Sequence, residues 1–489
     1  MTELILFRGL QGLGAGMIFA NIFTSVADIF PDHARRAKYQ GVFFSVFALT
    51  SVIGPTMGDW ITNHLSWRFV FYINLLLGAF SLFALPVVLH QGARRFGVKI
   101  DCLGAATITA SGVSLLLSLS WVGEGYDWDA TRVVVGFVVA AILLAAFIPI
   151  ELRATEPMVP LSLFKSRVFT SSALLMFMVG IGMFGIILYT PLFVQGVLGK
   201  TATGSGTVLT PLVLGMTAMG VICGQEIARV KRIKPFMIAG SIVMTIVIYL
   251  LTTLDTNSTQ TTVAHYLMVT GLGLGPLMPT ATLAVQSTVE KSLLGVAISA
   301  TQFIRSLGST VGTAVIGSLV TSGYADYLKD SAPPQAAGRL IDALQDPNAL
   351  VSEQARNALD RVASAFPGGE QLVDQILQVS REGLSDSLHD GFVFTLVAVS
   401  AAIVAALLMK NIRLGGQEQD APSVAAPGHT TQDRLVTGIT LGYLARRIER
   451  ANGDPRSLIS AAFKLVPGAE GSERERAQLA VDQVLRPWR

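Results

Sequence analysis

Residues 4 to 29 read LILFRGLQGLGAGMIFANIFTSVADI. The run is apolar almost throughout and longer than the ~20 residues an α-helix needs to cross a bilayer core. It starts almost at Met1, with no basic leader region and no small-residue cleavage site. It therefore reads as a membrane span and not as a signal peptide.

The rest of the chain repeats the pattern. Of its 489 residues, 51% are hydrophobic and 14% charged, and the mean hydropathy is +0.55. Soluble domains carry about 25% charged residues. So few charges cannot cover a water-facing surface of this size, so most of the chain faces lipid. Further apolar runs lie at 38–60, 69–90, 102–122, 132–151, 168–195, 205–227, 235–254, 262–286, 293–320 and 391–411. With the first run these make eleven spans, an odd number, which puts the two ends on opposite sides. The fold class is all-α, a polytopic membrane protein.

Lys and Arg in the short loops set the direction. One set of loops holds Arg35, Arg36 and Lys38, then Arg94, Arg95 and Lys99, then Arg153, Lys165 and Arg167, then Arg229, Lys231, Arg232 and Lys234, and finally Lys291. The opposite set holds Arg68, Arg132 and Lys200. The richer set is expected to be cytoplasmic, with Met1 outside and the C-terminal tail inside. The charged, amphipathic segment 321–390 is expected to form short helices outside the membrane. Residues 413–434 are rich in Gly, Gln, Ala, Pro and Ser and read as a linker. Two stretches of helical periodicity follow it, LVTGITLGYLARRIER and SERERAQLAVDQVLRPW.

Several chemistries are excluded. A net charge of +3 with no basic stripe argues against nucleic acid as a partner. Cys102 and Cys223 stand alone near ends of apolar runs and give no metal-ligand spacing. Gly12-Leu-Gly14-Ala-Gly16 and Gly271-Leu-Gly273-Leu-Gly275 look like dinucleotide loops, but a loop of that kind follows a strand and opens a helix outside the membrane. Here the glycines lie inside spans, where small-xxx-small spacing lets helix backbones approach. No cofactor, no metal and no enzyme activity is expected.

The motifs together resemble the major facilitator superfamily, in its fourteen-span drug:proton antiporter branch. LILFRGLQGLGAG is similar to the fourth-span motif B: an Arg, then Gln-Gly, then small residues. Ile53-Gly54-Pro55-Thr56-Met57-Gly58 resembles the fifth-span antiporter motif C, with Asp59 where a second Gly is usual. SWRFVFYINLLLG (66–78) resembles the start of the sixth span. GLGLGPLMP (271–279) and GVAISATQFIRSLGSTVGTAV (295–315) resemble the twelfth and thirteenth. The resemblance covers residues 1–320 and 391–412.

It implies a major facilitator fold with an incomplete N-terminal bundle. Residues 1–92 match family spans four to six. Two linker helices follow at 93–155, then a six-helix C-terminal bundle at 156–412 with an external insertion at 321–390, then a cytoplasmic tail at 413–489. Three family spans, with an acidic first-span motif and a Gly/Asp/Arg loop, have no counterpart. In the family, substrate crosses between two bundles that rock to alternate access.

Charges inside spans cost at least ~2.5 kcal/mol on insertion scales and need a cavity or a partner. Arg8 lies in the outer third of its span, and Asp59 is expected near the same face. The two are a candidate pair for proton coupling, in which Arg8 favours the charged carboxylate. Glu3, about one turn from Arg8, is the rival partner. Asp28, Asp101, Glu226 and Glu290 all fall at the cytoplasmic ends of spans. Arg305 lies near mid-span in a polar stripe, Ser299, Gln302, Arg305, Ser309 and Thr313, at helical spacing. That stripe reads equally as helix packing or as a cavity wall; in the second case Gln302, Arg305 and Ser309 line a substrate cavity. Tyr189, with Phe177 and Phe184, offers contact surface there. Pro55 removes a backbone donor and bends its helix. Gly54 and Gly58 permit close contact with a neighbour, so the three form a candidate conformational motif.

The resemblance implies a proton-coupled efflux transporter, and the two lone cysteines with no long glycosylated ectodomain fit a bacterial inner membrane. Its partners would be small amphipathic substrates, often cationic, together with protons and the lipid bilayer; protein partners stay open. The sequon Asn257-Ser258-Thr259 leaves a eukaryotic membrane open as well. A non-transporting relic or assembly subunit is the alternative from another class, and a lipid or antibiotic exporter is the second alternative. With two deep arginines and at best one nearby carboxylate, the chain as given is expected not to perform coupled transport alone.

The topology is directly testable. Single-Cys variants, in a background lacking Cys102 and Cys223, are labelled from outside in intact cells. Labelling is expected at position 350 and not at positions 35 or 231; the reverse pattern inverts the orientation.

Overall fold

The computed structural model describes residues 2–30, 33–66, 68–88, 101–123, 126–154, 157, 159–200, 202–290, 293–331, 347 and 369–412. All lie in the compact unit Met1–Val424. The tail at 413–489, with its linker and two periodic stretches, and the loop at 93–99 lie outside the described residues.

The described part is all-α, with no β-strand among its residues. Its long helices are α1 (Thr2–Ile29), α2 (His33–His64), α3 (Phe69–Val88), α4 (Cys102–Gly123), α5 (Thr131–Arg153), α6 (Arg167–Leu192), α7 (Ala202–Val230), α8 (Lys234–Thr252), α9 (Gln260–Thr288), α10 (Leu294–Ser331) and α11 (Gly369–Leu408). Each expected span has its helix. Eight of them, α4 to α11, are long and apolar enough to cross a membrane. Large apolar side chains point outward along them, as at Leu103, Ile142, Leu214, Ile246 and Val397, and along α1 and α3 too, as at Leu6, Phe7, Leu75 and Phe83. A water-facing helix would not carry these; a lipid-facing one does.

Polar residues at the helix ends explain the boundaries. Ser166 caps α6 by accepting from Phe169 N, and Thr259 caps α9 by accepting from Thr262 N at 3.2 Å. Asp101 does the same for α4, its Oδ1 accepting from Gly104 N at 2.8 Å. Such caps satisfy backbone donors that a helix leaves open. Arg36, expected as a loop charge, is 3% exposed; Nη2 donates to Ala27 O at 3.0 Å and Nε to Phe30 O at 3.2 Å. Its cation closes the carbonyl end of α1, where the helix dipole favours it. Pro191 ends the regular part of α6, and a π-turn over Phe193–Val197 follows.

Of the segment expected to form short helices, 321–390, residues 332–346 and 348–368 lie outside the described residues, and its two described ends are parts of long helices. Residues 321–331 continue α10 and residues 369–390 open α11, giving helices of 38 and 40 residues. At 1.5 Å per residue, 38 residues extend about 57 Å, well past a ~30 Å hydrocarbon core. The extensions pair with each other. Tyr324, Leu328, Leu372, Val373, Ile376 and Leu384 belong to the same apolar cluster as the spans, and Gly323 and Gly383 sit against Ser387 and the Tyr327 ring. One buried stripe holds them together beneath a charged outer surface.

Helices α6 to α11 share the main core. Two polar ties link α8 and α11: Lys234 Nζ donates to Leu407 O at 2.7 Å, and His389 Nδ1 lies 2.7 Å from Thr252 O. Helices α4 and α5 form a hairpin through Ser111 Oγ to Ala140 O and Ser114 Oγ to Gly136 O, both 2.8 Å. Trp128 Nε1, between them, donates to Ser318 Oγ of α10 at 3.1 Å.

The two glycine motifs diverge. Gly271 lies against α7, where a Cβ would overlap Leu212 O and sit 2.7 Å from Met216 N. Gly275 lies against the same helix, 2.8 Å from Met216 O by the same measure. At Gly12, Gly14 and Gly16 a Cβ would meet nothing within 4 Å. Gly271→Ala is therefore expected to destabilise the protein by about 1–3 kcal/mol through overpacking, and Gly12→Ala to leave it unchanged. Thermal unfolding in detergent checks both; equal melting temperatures for the two variants would contradict the close α7–α9 contact.

Candidate functional site

Helix α10 carries the polar stripe and packs along α6 at very short range. Gly308 backs onto the Phe177 backbone, Gly312 onto Ile181, and Gly180 onto the backbone of Arg305 and Ser309. Ser309 is buried in this contact and donates to Ser306 O at 2.7 Å. Thr313 donates to Ser309 O at 2.9 Å, and Tyr189 OH reaches across from α6 to Thr313 O at 3.0 Å. Ser309, Thr313 and Tyr189 thus meet at the α6–α10 seam.

Gln302 and Arg305 form a different unit. With its amide turned to present oxygen, Gln302 accepts from Arg305 Nη2 at 2.7 Å and Nε at 2.9 Å. Both residues are half-buried, and Ser299, one turn before them, is exposed. An arginine has five N–H donors. The fork uses two and fixes the plane of the guanidinium. Among the described residues no carboxylate forms an ion pair with Arg305; the side chain is held by an amide and keeps its positive charge. Such a group can hold an electron-rich atom of a bound molecule. Phe177 and Phe184 are half-buried on α6.

The first-span residues are not gathered with these. Arg8 is exposed, donates to Gln11 Oε1 at 3.0 Å, and lies 6.0 Å from the centre of the Phe71 ring. Glu3 is exposed and forms no ion pair with it. The side chains of Asp59 and Pro55 lie outside the described residues. Helix α2 runs unbroken through Gly54 and Pro55. Among the described residues, a Cβ at Gly54 or Gly58 would meet nothing within 4 Å. An apolar groove of about 690 Å³ does border this end of α2, lined by Met57, Trp60, Ile61, Leu65, Phe69 and Tyr72.

Helix α2 closes on α7 at its other end. A Cβ at Gly41 would sit 2.6 Å from Gly220 O, and one at Gly224 would sit 2.8 Å from Ala37 O. Beside this contact Gln40, fully buried, donates through Nε2 to Gln286 Oε1 of α9. Two buried amides joining helices from different parts of the chain were not singled out in the sequence. Their signal was a Gln within an apolar run at 286 and another just after the charged start of α2.

The family model described as Major Facilitator Superfamily matches residues 1–313. The multidrug transporter protein MdtP of Bacillus subtilis (strain 168) is 37% identical over 451 residues, covering 88% of this chain and 82% of its own. The multidrug resistance protein 3 of the same organism is 31% identical over 420 residues, covering 85% and 78%. Among solved structures, a bacterial homolog of the human lysosomal transporter Spinster, in an inward-facing and occupied conformation, aligns at 15% identity with a TM-score of 0.38, covering 82% of this chain and 97% of that one. By its family match and its relatives, this chain belongs to the major facilitator superfamily, a family of multi-pass membrane transporters and not of enzymes.

Proposed function

We propose that this protein exports amphipathic small molecules across a cell membrane in exchange for protons, with its richer set of basic loops on the cytoplasmic side. The observation that carries the reading is the Gln302–Arg305 fork, a fixed cation with no carboxylate ion pair among the described residues, inside the apolar run 293–320. A charge at that depth is retained where it does work. The two Bacillus relatives named for multidrug transport and resistance support the substrate class.

In this reading Gln302, Arg305, Ser309 and Tyr189 form the C-terminal-bundle side of the path. Arg305 orients the polar end of the substrate, and aromatic side chains of α6 take its apolar part. Arg8 and Asp59 belong to the charge network that responds to protons. The Gly54-Pro55-Gly58 stretch, open on its flank here, is the part of α2 free to repack when the bundles rock. The domain boundaries at 92, 155 and 412 follow the family pattern.

The test is efflux of a fluorescent cationic dye from liposomes containing the 489-residue chain under an imposed proton gradient. Uncoupler-sensitive efflux is the outcome this function requires, and it would show that these residues suffice, against the expectation from the charge inventory. Arg305→Ala should cut the rate at least about tenfold, equivalent to ~1.4 kcal/mol, with near-normal membrane insertion. Arg305→Lys should recover little, because an ammonium cannot make the planar fork. Dye movement indifferent to the gradient would remove the coupling. Full activity in Arg305→Ala would reduce the stripe to helix packing, and no movement at all would favour a non-transporting membrane subunit.

A further inference from the structure

Helices α4 and α5 hold two carboxylates that the proposed function does not use. Glu151, in the last turn of α5, is 3% exposed. Its Oε1 accepts from the Val159 backbone N at 2.5 Å. Its Oε2 is buried with no hydrogen-bond partner. Asp101, at the start of α4, spends Oδ1 on the Gly104 cap, and its Oδ2 is likewise buried and unpartnered. The two orphaned oxygens border the same spot. A Cβ at Gly104 would overlap Asp101 Oδ2 and come within 3.2 Å of Glu151 Oε2.

We propose that Asp101 and Glu151 form a proton site, in which a proton held on Glu151 Oε2 is presented to Asp101 Oδ2. Glu151 is buried and Asp101 half-buried with its free oxygen out of solvent, so both groups cannot stay ionised cheaply side by side. One proton taken from solvent removes a charge, and the resulting O–H donates to the other carboxylate, so both orphaned oxygens gain a partner at once. A divalent cation fits poorly. Calcium and magnesium take six or more oxygens, whereas only one oxygen of each carboxylate remains here, and no group of three or more candidate ligands occurs among the described residues.

The charged groups on the packed elements do not neutralise the pair. Arg153 is exposed two residues further along α5, and Arg132, at that helix's other end, lies 3.9 Å from the Tyr126 ring centre. Helix α4 carries no further charge. On α10, which packs on α4, Arg305 is forked onto Gln302, Asp326 and Lys329 pair with each other at 3.8 Å, and Asp330 lies beside them at the far end. The sequence placed Asp101 with other end-of-span acids and did not single out Glu151.

The site is testable without any transport assay. The full chain is placed in lipid nanodiscs with a chelator at neutral pH, and the infrared carbonyl stretch of protonated carboxylic acids is recorded in pH-difference spectra. A carboxylic-acid band is expected in the wild type, lost in both Glu151→Gln and Asp101→Asn, since either amide supplies the missing donor itself. Carbon-13 labelling of aspartate or glutamate carboxyls should shift the band in the wild type, a reading that needs no variant to fold. Absence of the band in the wild type, its survival in both variants, or its failure to shift with either label overturns the proposal. So does its loss on adding millimolar magnesium or calcium, which would assign the site to a metal ion.

Discussion

The structure depends on a single constraint: wherever the surface is apolar, every backbone donor and acceptor has to be satisfied within the protein. A chain that is 14% charged has little polar side-chain surface to offer, so helices do nearly all of this work. Many of the hydroxyls buried among them follow the same rule locally. Ser241 donates to Met237 O, Thr280 to Pro276 O and Thr395 to Gly391 O, each one turn back in its own helix. These residues are polar in composition and silent toward lipid. Groups that reach beyond their own helix, among them Tyr189, Gln40, Ser111, Ser114, Lys234, Trp128 and His389, therefore stand out as the contacts that choose partners.

Hydrocarbon surroundings give helices little hydrophobic reason to associate, so close packing and interhelical hydrogen bonds decide the arrangement. The glycines show where. Helices α7 and α9 meet at Gly215 and Gly271, α6 and α10 at Gly180 and Gly308, and α2 meets α7 at Gly41, Gly220 and Gly224. The last contact joins the first third of the chain to the six-helix core. It occupies one end of α2; towards the other end, Gly54 and Gly58 have no close neighbour among the described residues, and Met57, Trp60 and Ile61 face α3 across the apolar groove. One helix thus has a tightly sealed end and a more loosely packed one.

Span number and position were readable because a membrane helix is declared by length and hydropathy alone. Which face of a span packs was not. Gly12/Gly16 and Gly271/Gly275 have identical spacing, and only the second pair is buried against a neighbour. The insertion misled for a related reason. Charged residues on the outer surface of 321–331 and 369–390 hide the apolar stripe of Tyr324, Leu328, Ile376 and Leu384 that continues the core. Arg36 carried the right sign for a loop cation and concealed its second role as a cap. The Gln302–Arg305 fork was half visible: the spacing put the two on one face, and the hydrogen bonds needed coordinates.

The carboxylates of α4 and α5 matter because of what those helices lean on. Gly112 of α4 lies 3.1 Å, by its Cβ position, from the Phe303 ring, next to Gln302 on α10, and Trp128 ties the α4–α5 turn to Ser318 further along the same helix. The hairpin is thus braced against α10 on both sides of Arg305. Its opposite end is closed by Asp101 capping α4 and by Glu151 holding the Val159 backbone. A shared proton keeps that end together; two bare carboxylates would repel each other and strain both of these hydrogen bonds at once. Rigid helices transmit such a strain along their length, and the packed surface next in line is the one that carries the forked guanidinium. The end of the hairpin that holds the two carboxyl groups and the face of α10 beside the guanidinium thus belong to one continuous α4–α5–α10 packing, which α1 also meets at Gly295 through Thr24.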